Sequence, residues 1–343
     1  MLVLKQMEYY GHEQVVFVQD KSVGLRAIIA IHNTVRGPAL GGTRFFNYKS
    51  DEDALFDVLR LSRGMTLKNA AAGLNIGGGK AVIIGDPAKL KTKEFLKSYG
   101  KFIDSLGGKY YTAEDMNISA ADMSVMNEST KYVVGTPEIS GDPGPFTARG
   151  VYLAMKAGAK EKFGTDSLAG KTVAVQGVGS VGYKLCDFLA KEGAKLIVCD
   201  VNSVSTEKAA KEFGASVVST DTIISTECDV FAPCAMGAVL NMNNVSTLKC
   251  QLIAGAANNV LLDLETGDKL ADMGILYLPD YIVNAGGVIN CGMEVSVGHY
   301  DVNAVNEKVA EIYNTTEKII ALAKAKNSGT HRVADEYAMS QVK

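Results

Sequence analysis

Apolar residues along this chain fall into two rhythms. In the first half, "LRAIIAIHN" (25–33) and "KAVIIGD" (80–86) are short, nearly continuous apolar runs, the mark of buried strands. Between them, from about Asp51 to Ala72, the residues Ala54, Leu55, Val58, Leu61 and Met65 recur at helical spacing and predict one long helix with a single apolar face. Lys68 falls on that same face. Residues 136–146, "TPEISGDPGPF", gather three prolines with two glycines and read as a hinge. Beyond it strands and helices alternate: "TVAVQG", a helix, "KLIVCD", a helix, "SVV", "CDVFAPC" and "LIAGAAN". Such alternation predicts a parallel sheet covered by helices. There is no low-complexity segment and no internal repeat.

Composition narrows the class of protein without choosing one. At 343 residues, 47% of them hydrophobic and 21% charged, the chain can build two ordinary globular domains. A net charge of −3 leaves no electrostatic footprint for nucleic acid or an anionic membrane. The N-terminal "MLVLKQMEYYGHEQ" lacks a signal-peptide core, and no apolar run is long enough for a membrane span. A cytoplasmic protein is expected. The six cysteines and four histidines are dispersed without a C-x-x-C pair, so reduced thiols and no metal site are expected.

Two glycine-rich stretches carry the chemistry. "NIGGGKAVIIGDP" (75–87) invites comparison with a phosphate-binding P-loop and fails it. Leu74 stands where the first glycine belongs, Ala81 follows the lysine, and Lys80 is expected to precede a strand instead of opening a helix. The second stretch, "KTVAVQGVGSVGYKLCDFLAKEGAKLIVCD", sets Gly177, Gly179 and Gly182 in G-x-G-x-x-G spacing between a strand and a helix. Those glycines, with Val178, Ser180 and Val181 between them, predict a dinucleotide pyrophosphate on a helix N-terminus. Asp200 ends the next strand, followed by Val201. An acid there suits an adenosine ribose and disfavours a 2′-phosphate, so NAD is expected over NADP.

The lysines of the first half remain open on their own residues. Lys68 is either a snorkelling cation at the end of the core or a charge aimed into an enclosed site. Lys80 is either an exposed lysine in a glycine turn or its partner. Were the two to converge, each would lower the other's pKa from about 10.4, so that one could act as a base while the other held a carboxylate. Glu114 and Asp115 in "TAEDMN" (112–117) would set which lysine carries the proton; a solvated loop is the alternative.

These pieces occur together and in order. "GPALGGTRF", "LSRGMTLKNAAAGLNIGGGKAVIIGDP", "TAEDMN", "VAVQGVGSVG", "FAPCAMGAVLN", "IAGAANN" and "PDYIVNAGGVIN" resemble the blocks of the amino-acid dehydrogenase family across nearly the whole chain. That family includes glutamate, leucine, valine, phenylalanine and tryptophan dehydrogenases, and the blocks are most similar to the leucine enzymes. The resemblance implies an α/β protein of two domains flanking a cleft. Residues 1–140 would form the α/β substrate and oligomerisation domain, and 141–343 a Rossmann, doubly wound NAD-binding domain whose C-terminal helix can pack back on the first. It implies reversible oxidative deamination of an apolar L-amino acid to a 2-oxo acid and ammonium, by a homo-oligomer.

Residue by residue, the resemblance implies that Lys80 acts on the attacking water, Asp115 shuttles protons at the amino group, and Lys68 binds the α-carboxylate. Gly41, Gly42 and the glycines before Lys80 would let substrate lie against backbone. Leu40, Met65, Ala113, Cys291 and Val295 would line the side-chain pocket. Asn258 and Asn259 would sit near nicotinamide and substrate, and Asn284 on the nicotinamide side. Leu40 stands where glutamate-specific members carry a lysine, and Ala113 matches the leucine enzymes, so branched-chain substrates are expected ahead of aromatic ones. Cys291 departs from a usual valine, and "SGDPGPFTARG" is shorter than the matching segment of the leucine enzymes. A phenylalanine or tryptophan preference is the alternative within the class, and a non-catalytic NAD-binding regulator the alternative outside it.

Overall fold

The apolar run "LRAIIAIHN" is buried on both faces because it lies inside a sheet with helices on either side. The structure, a computed structural model, describes residues 3–235 and 237–342; Met236, within the "FAPCAMGAVLN" block, lies outside the described residues. The chain folds as two units. One comprises Met1–Pro143, Val288–Val302 and Ala338–Lys343, the other Gly144–Gly287 and Asn303–Tyr337.

In the first unit, α1 (Val3–Tyr10) leads into β1 (Gln14–Asp20), β2 (Leu25–Asn33) and β3 (Ala39–Phe46), then α2 (Asp51–Ala71) and β4 (Gly77–Ile84). The short α3 (Pro87–Leu90), α4 (Lys93–Asp104), β5 (Tyr110–Ala113) and α5 (Ala120–Asn127) follow. The five strands pair in the order β1-β2-β4-β3-β5, antiparallel from β1 to β4 and parallel from β4 through β3 to β5. Ile28, Ala30 and Val82 face Ala54, Leu55, Val58 and Leu59 of α2. Ala27, Ile29 and Ile31 face the opposite way, into a core with Phe95 and Tyr99 of α4 and Met123 and Met126 of α5. Ser50 starts α2 by accepting a hydrogen bond from the Asp53 amide, and Asp51, Glu52 and Asp53 suit the positive end of its dipole.

The second unit opens with α6 (Gly144–Phe163), then β6 (Thr172–Gln176), α7 (Ser180–Glu192), β7 (Lys195–Cys199), α8 (Ser203–Phe213) and β8 (Ser216–Val217). It continues through β9 (Val230–Pro233), β10 (Leu252–Ile253), α9 (Leu264–Asp272), β11 (Leu276–Tyr277) and α10 (Asp280–Val283). All pairings are parallel, in the order β11-β10-β9-β6-β7-β8. Strand order therefore reverses between β6 and β9, the doubly wound arrangement whose switch point receives dinucleotides. The last helices, α11 (Gly286–Ser296), α12 (Val302–Lys326) and α13 (Thr330–Val342), each include residues of both units.

Three expectations change. First, β4 begins at Gly77, so Lys80 lies within a strand and not ahead of it. Gly78 and Gly79 pair with β2, and Gly77 and Gly78 with β3, so tertiary pairing overrides the poor strand propensity of glycine. Second, the buried face of α2 turns away from Leu61 and Met65, which are only half-buried, and continues through Ser62, Thr66 and Asn69. Third, Val288–Val302, assigned above to the 141–343 domain, clusters with the first unit. There Asn290 donates to the Ser140 carbonyl at 3.0 Å, and Gly292 seats α11 against Leu74 and Ile76.

Candidate active site

Lys80 projects from the middle of β4 and is 6% exposed. A lysine held so far from water needs a partner. It has one: Lys80 Nζ lies 3.1 Å from Asp115 Oδ2. Asp115 follows β5 in a loop clamped to β3, where Phe45 N donates to the Met116 carbonyl and Asn117 Nδ2 to the Phe45 carbonyl, each at 3.0 Å. Asn117 takes a φ of +61°, a conformation asparagine tolerates better than most residues.

A second cation shares the same carboxylate. Arg44 Nε donates to Asp115 Oδ2 at 3.1 Å, and its Nη1 reaches Asp57 Oδ2 at 2.9 Å. Tyr48 OH closes the chain on that Asp57 oxygen at 2.6 Å. Burial works to raise the Asp115 pKa, but the charges of Lys80 and Arg44 and their hydrogen bonds outweigh it, and the net shift is downward. Asp115 is therefore an ionised acceptor between two cations. Arg44 was not among the residues singled out from the sequence. The signal lay in strand pairing: Arg44 is opposite Val82, two residues beyond Lys80, so both cations stand on one face of the sheet.

Lys68, in the last turn of α2, is half-buried. It stands near Cys291, whose thiol is pushed up to about 12 by burial and by the carboxylates of Glu294 and Glu114, with the Lys68 charge opposing. The structure thus brings Lys68, Glu114 and Cys291 into one neighbourhood. Met65 is half-buried, and its Cγ would lie 3.1 Å from a Cβ added at Gly41. Ala113 is buried and Val295 half-buried. Leu40 departs from expectation: at 0% exposure it is enclosed by protein and presents no open surface to a ligand.

The glycines also have a different immediate cause. An added Cβ would meet the Gly79 carbonyl oxygen at 1.8 Å from Gly41, the Glu114 carbonyl oxygen at 2.3 Å from Gly42, and Thr66 N at 2.1 Å from Gly78. Packing of the unit against itself accounts for each of them.

In the second unit the glycine-rich turn joins β6 to α7. Gly177 has a φ of +94°, and a Cβ on Gly182 would lie 2.0 Å from the Gly177 carbonyl oxygen, so these two set the tight turn and the close helix. Gly179 differs: its Cβ position has no protein atom within 4 Å. It also caps α7 without a side-chain hydrogen bond, leaving Val181 and the other first-turn amides uncapped by a side chain. A phosphate group fits that open cradle. Ser180 instead receives Lys184 Nζ at its Oγ, 2.9 Å away. Asp200 Oδ2 accepts from Val178 N at 2.8 Å and its Oδ1 from Asn202 N at 2.9 Å, which fixes the carboxylate beside the turn. Val201 next to it is 95% exposed.

Asn284 is buried and donates to Asn258 Oδ1 at 2.9 Å and to the Ala256 carbonyl at 3.1 Å. Its own Oδ1 is buried without a hydrogen-bond partner. Asn259, exposed and at a φ of +52°, accepts from Ala238 N at 2.5 Å through its carbonyl. Among the described residues no group of three His, Cys, Asp or Glu side chains is placed to hold a metal ion, and no helix is long and apolar enough to cross a membrane.

A doubly wound parallel sheet with an open glycine cradle in one unit, and in the other a buried lysine paired with a half-buried aspartate and arginine, define a nucleotide-dependent dehydrogenase. Residues 12–132 match the Glu/Leu/Phe/Val dehydrogenase dimerisation domain and residues 200–343 the Glutamate/Leucine/Phenylalanine/Valine dehydrogenase domain. Residues 148–238 match the NAD-binding domain of D-isomer specific 2-hydroxyacid dehydrogenases. The chain is 52% identical to the leucine dehydrogenase of Geobacillus stearothermophilus, with 100% of this chain and 94% of that protein covered. It is 44% identical to the valine dehydrogenase of Streptomyces virginiae over 96% of this chain and 93% of the relative. The crystal structure of L-tryptophan dehydrogenase from Nostoc punctiforme superposes with a TM-score of 0.87 at 42% identity, covering 99% of this chain and 98% of that one. The chain belongs to the Glu/Leu/Phe/Val dehydrogenase family and is an amino-acid dehydrogenase of its leucine, valine and tryptophan branch.

Proposed function

We propose that this enzyme catalyses the reversible, NAD-dependent oxidative deamination of leucine and other branched-chain L-amino acids. The overall reaction takes the amino acid, NAD⁺ and water to the 2-oxo acid, ammonium, NADH and a proton. The observation that carries this reading is the contact at 3.1 Å between buried Lys80 and half-buried Asp115, which supplies a proton donor and a proton acceptor in one place. Bound NAD⁺ supplies the acceptor for the hydride that leaves the α-carbon.

This chain's residues do the rest. Lys68 pairs with the substrate α-carboxylate. Asp115 takes a proton from the α-ammonium, freeing the nitrogen lone pair that assists hydride departure. Lys80 holds the water that attacks the resulting iminium carbon. That water gives up both its protons as the carbinolamine forms and then collapses to the carbonyl. Asp115 returns a proton to the nitrogen, and the C–N bond breaks to release ammonia. The ammonia takes up one of the water's protons to become ammonium, while the other is the product proton. Gly177, Gly179 and Gly182 hold the pyrophosphate and Asp200 the adenosine ribose, while Asn258, Asn259 and Asn284 position the nicotinamide and the substrate. The carboxylate of Asp200 beside the turn favours NAD over a cofactor bearing a 2′-phosphate.

The side-chain preference rests on Ala113, Met65, Cys291 and Val295 and on identity to leucine dehydrogenases. A cytoplasmic homo-oligomer is part of the same reading, in keeping with the match of residues 12–132 to a dimerisation domain. Absorbance of NADH, followed with a panel of L-amino acids and with NAD⁺ or NADP⁺, tests it. Leucine, isoleucine and valine with NAD⁺ should give the highest kcat/KM. Faster turnover of phenylalanine or tryptophan would reassign the substrate, and no turnover of any amino acid would reject the reading.

A further inference from the structure

Both cations around Asp115 bond to the same oxygen. Lys80 Nζ and Arg44 Nε each lie 3.1 Å from Oδ2. Two charge-assisted hydrogen bonds make Oδ2 the poorer proton acceptor and leave Oδ1 the more basic oxygen. Lys80 alone cannot enforce that choice, because an ammonium on a flexible stem lets a carboxylate turn about its Cβ–Cγ bond. Arg44 can. Its planar guanidinium is held a second time by Asp57 at 2.9 Å, and Tyr48 holds Asp57 at 2.6 Å. The carboxylate is thus gripped from β3 and β4 at once, through a chain anchored on α2.

The two cations also differ in constancy. Lys80 exchanges hydrogen bonds with water and carboxylate during the proposed reaction, whereas an arginine in a protein does not give up its proton. Resting on the proposed function, we propose that Arg44 is a positioning residue for proton transfer at Asp115: it pins Oδ2, presents Oδ1 as the oxygen that exchanges the proton, and keeps a positive charge beside the carboxylate throughout the cycle. In the deamination direction an N–H bond of the α-ammonium breaks, its electron pair stays on nitrogen, and the proton forms an O–H bond with Oδ1. The neutral acid later returns that proton to nitrogen, and the C–N bond breaks with its electron pair staying on nitrogen. Ammonia leaves, to be protonated to ammonium by a proton released from the attacking water. Besides Lys80 and Arg44, the charged and titratable groups facing Asp115 are Glu114 beside it, Tyr110 on β5, and Asp57 and Tyr48 through Arg44.

The test compares pH profiles of kcat and kcat/KM for the wild-type enzyme, Arg44→Met, Arg44→Lys and Asp57→Asn, with NADH affinity and Tm measured on each. Arg44→Met should move the acid limb of kcat/KM up by about one pH unit or more, the effect of losing a cation beside a carboxylate. Its kcat should fall by about tenfold or more, while NADH affinity stays within about twofold. Arg44→Lys should restore the position of the acid limb but not the full kcat, since it returns the charge without the planar fork. Asp57→Asn should shift the limb the same way by less, which keeps the test decisive if Arg44→Met does not fold. An acid limb and kcat unchanged in folded Arg44→Met, or in Asp57→Asn when the former is unstable, would overturn the inference while leaving the proposed function intact. A wild-type enzyme without amino-acid-dependent NADH formation would overturn both.

Discussion

Ionised carboxylates are rarely kept in protein without matching charge, and Asp115 is met by two cations, one of which, Arg44, it shares with Asp57. That arrangement matters for chemistry because it keeps Asp115 ionised, an acceptor ready at neutral pH. Lys80→Ala should therefore lower kcat by roughly a hundredfold or more, the range lost with a general acid or base, while leaving NADH affinity nearly unchanged. Lys68→Ala should act chiefly on KM, since it removes the counter-charge of the substrate carboxylate. Steady-state kinetics beside NADH titration separates the two, and near-normal turnover of Lys80→Ala would remove the central role given to that lysine. Lys68, Lys80 and Asp115 were legible because they sit in blocks with a fixed local order. Arg44 sits in such a block too, but its partner Asp115 is distant in sequence and is met only once β5 and the loop after it pair with β3.

The element that most departs from simple patterning is α2. Its apolar stripe gives way to Ser62, Thr66 and Asn69, and the sheet answers with polar partners. His12 Nε2 lies 2.7 Å from Ser62 Oγ, His32 Nδ1 lies 2.7 Å from Thr66 Oγ1, and Asn69 donates to the Gly77 carbonyl at 2.6 Å. Such a seam sets the helix against the strand that carries Lys80. Gly78→Ala places a methyl on the Thr66 backbone and should cost about 1–3 kcal/mol or more, read as a lower urea midpoint for the first unit.

The seam also titrates. Burial first, then the neighbouring His32, lowers His12 to about 4, and burial lowers His32 as well. Both histidines must stay neutral when folded yet charge near pH 6.5 when unfolded. Stability is thus full above that pH and falls progressively as pH drops from about 6.5 toward 4. Tm measured across this window should decline, and His12→Asn should flatten the slope. An equally steep decline in the variant would assign it to other groups.

For the whole molecule, the second unit supplies a clean probe of cofactor linkage. Gly179→Ala meets no protein atom and sits in an extended conformation open to any residue, so the variant should fold with an unchanged Tm. Saturating NADH, at about a hundred times Kd, should stabilise the wild type by about 2.7 kcal/mol and the variant by much less. Equal stabilisation of the two would place the pyrophosphate elsewhere. The alternation of strands and helices, the G-x-G-x-x-G turn and the order of the blocks are properties of neighbours within a few residues, and they declare themselves in the chain read as a string. The enclosure of Leu40, the contact of Arg44 with Asp115, the self-packing of Gly41, Gly42 and Gly78, and the placement of Val288–Val302 in the first unit do not. Each of these depends on strand register or on where a helix lands, and those are settled by the packing of the whole core.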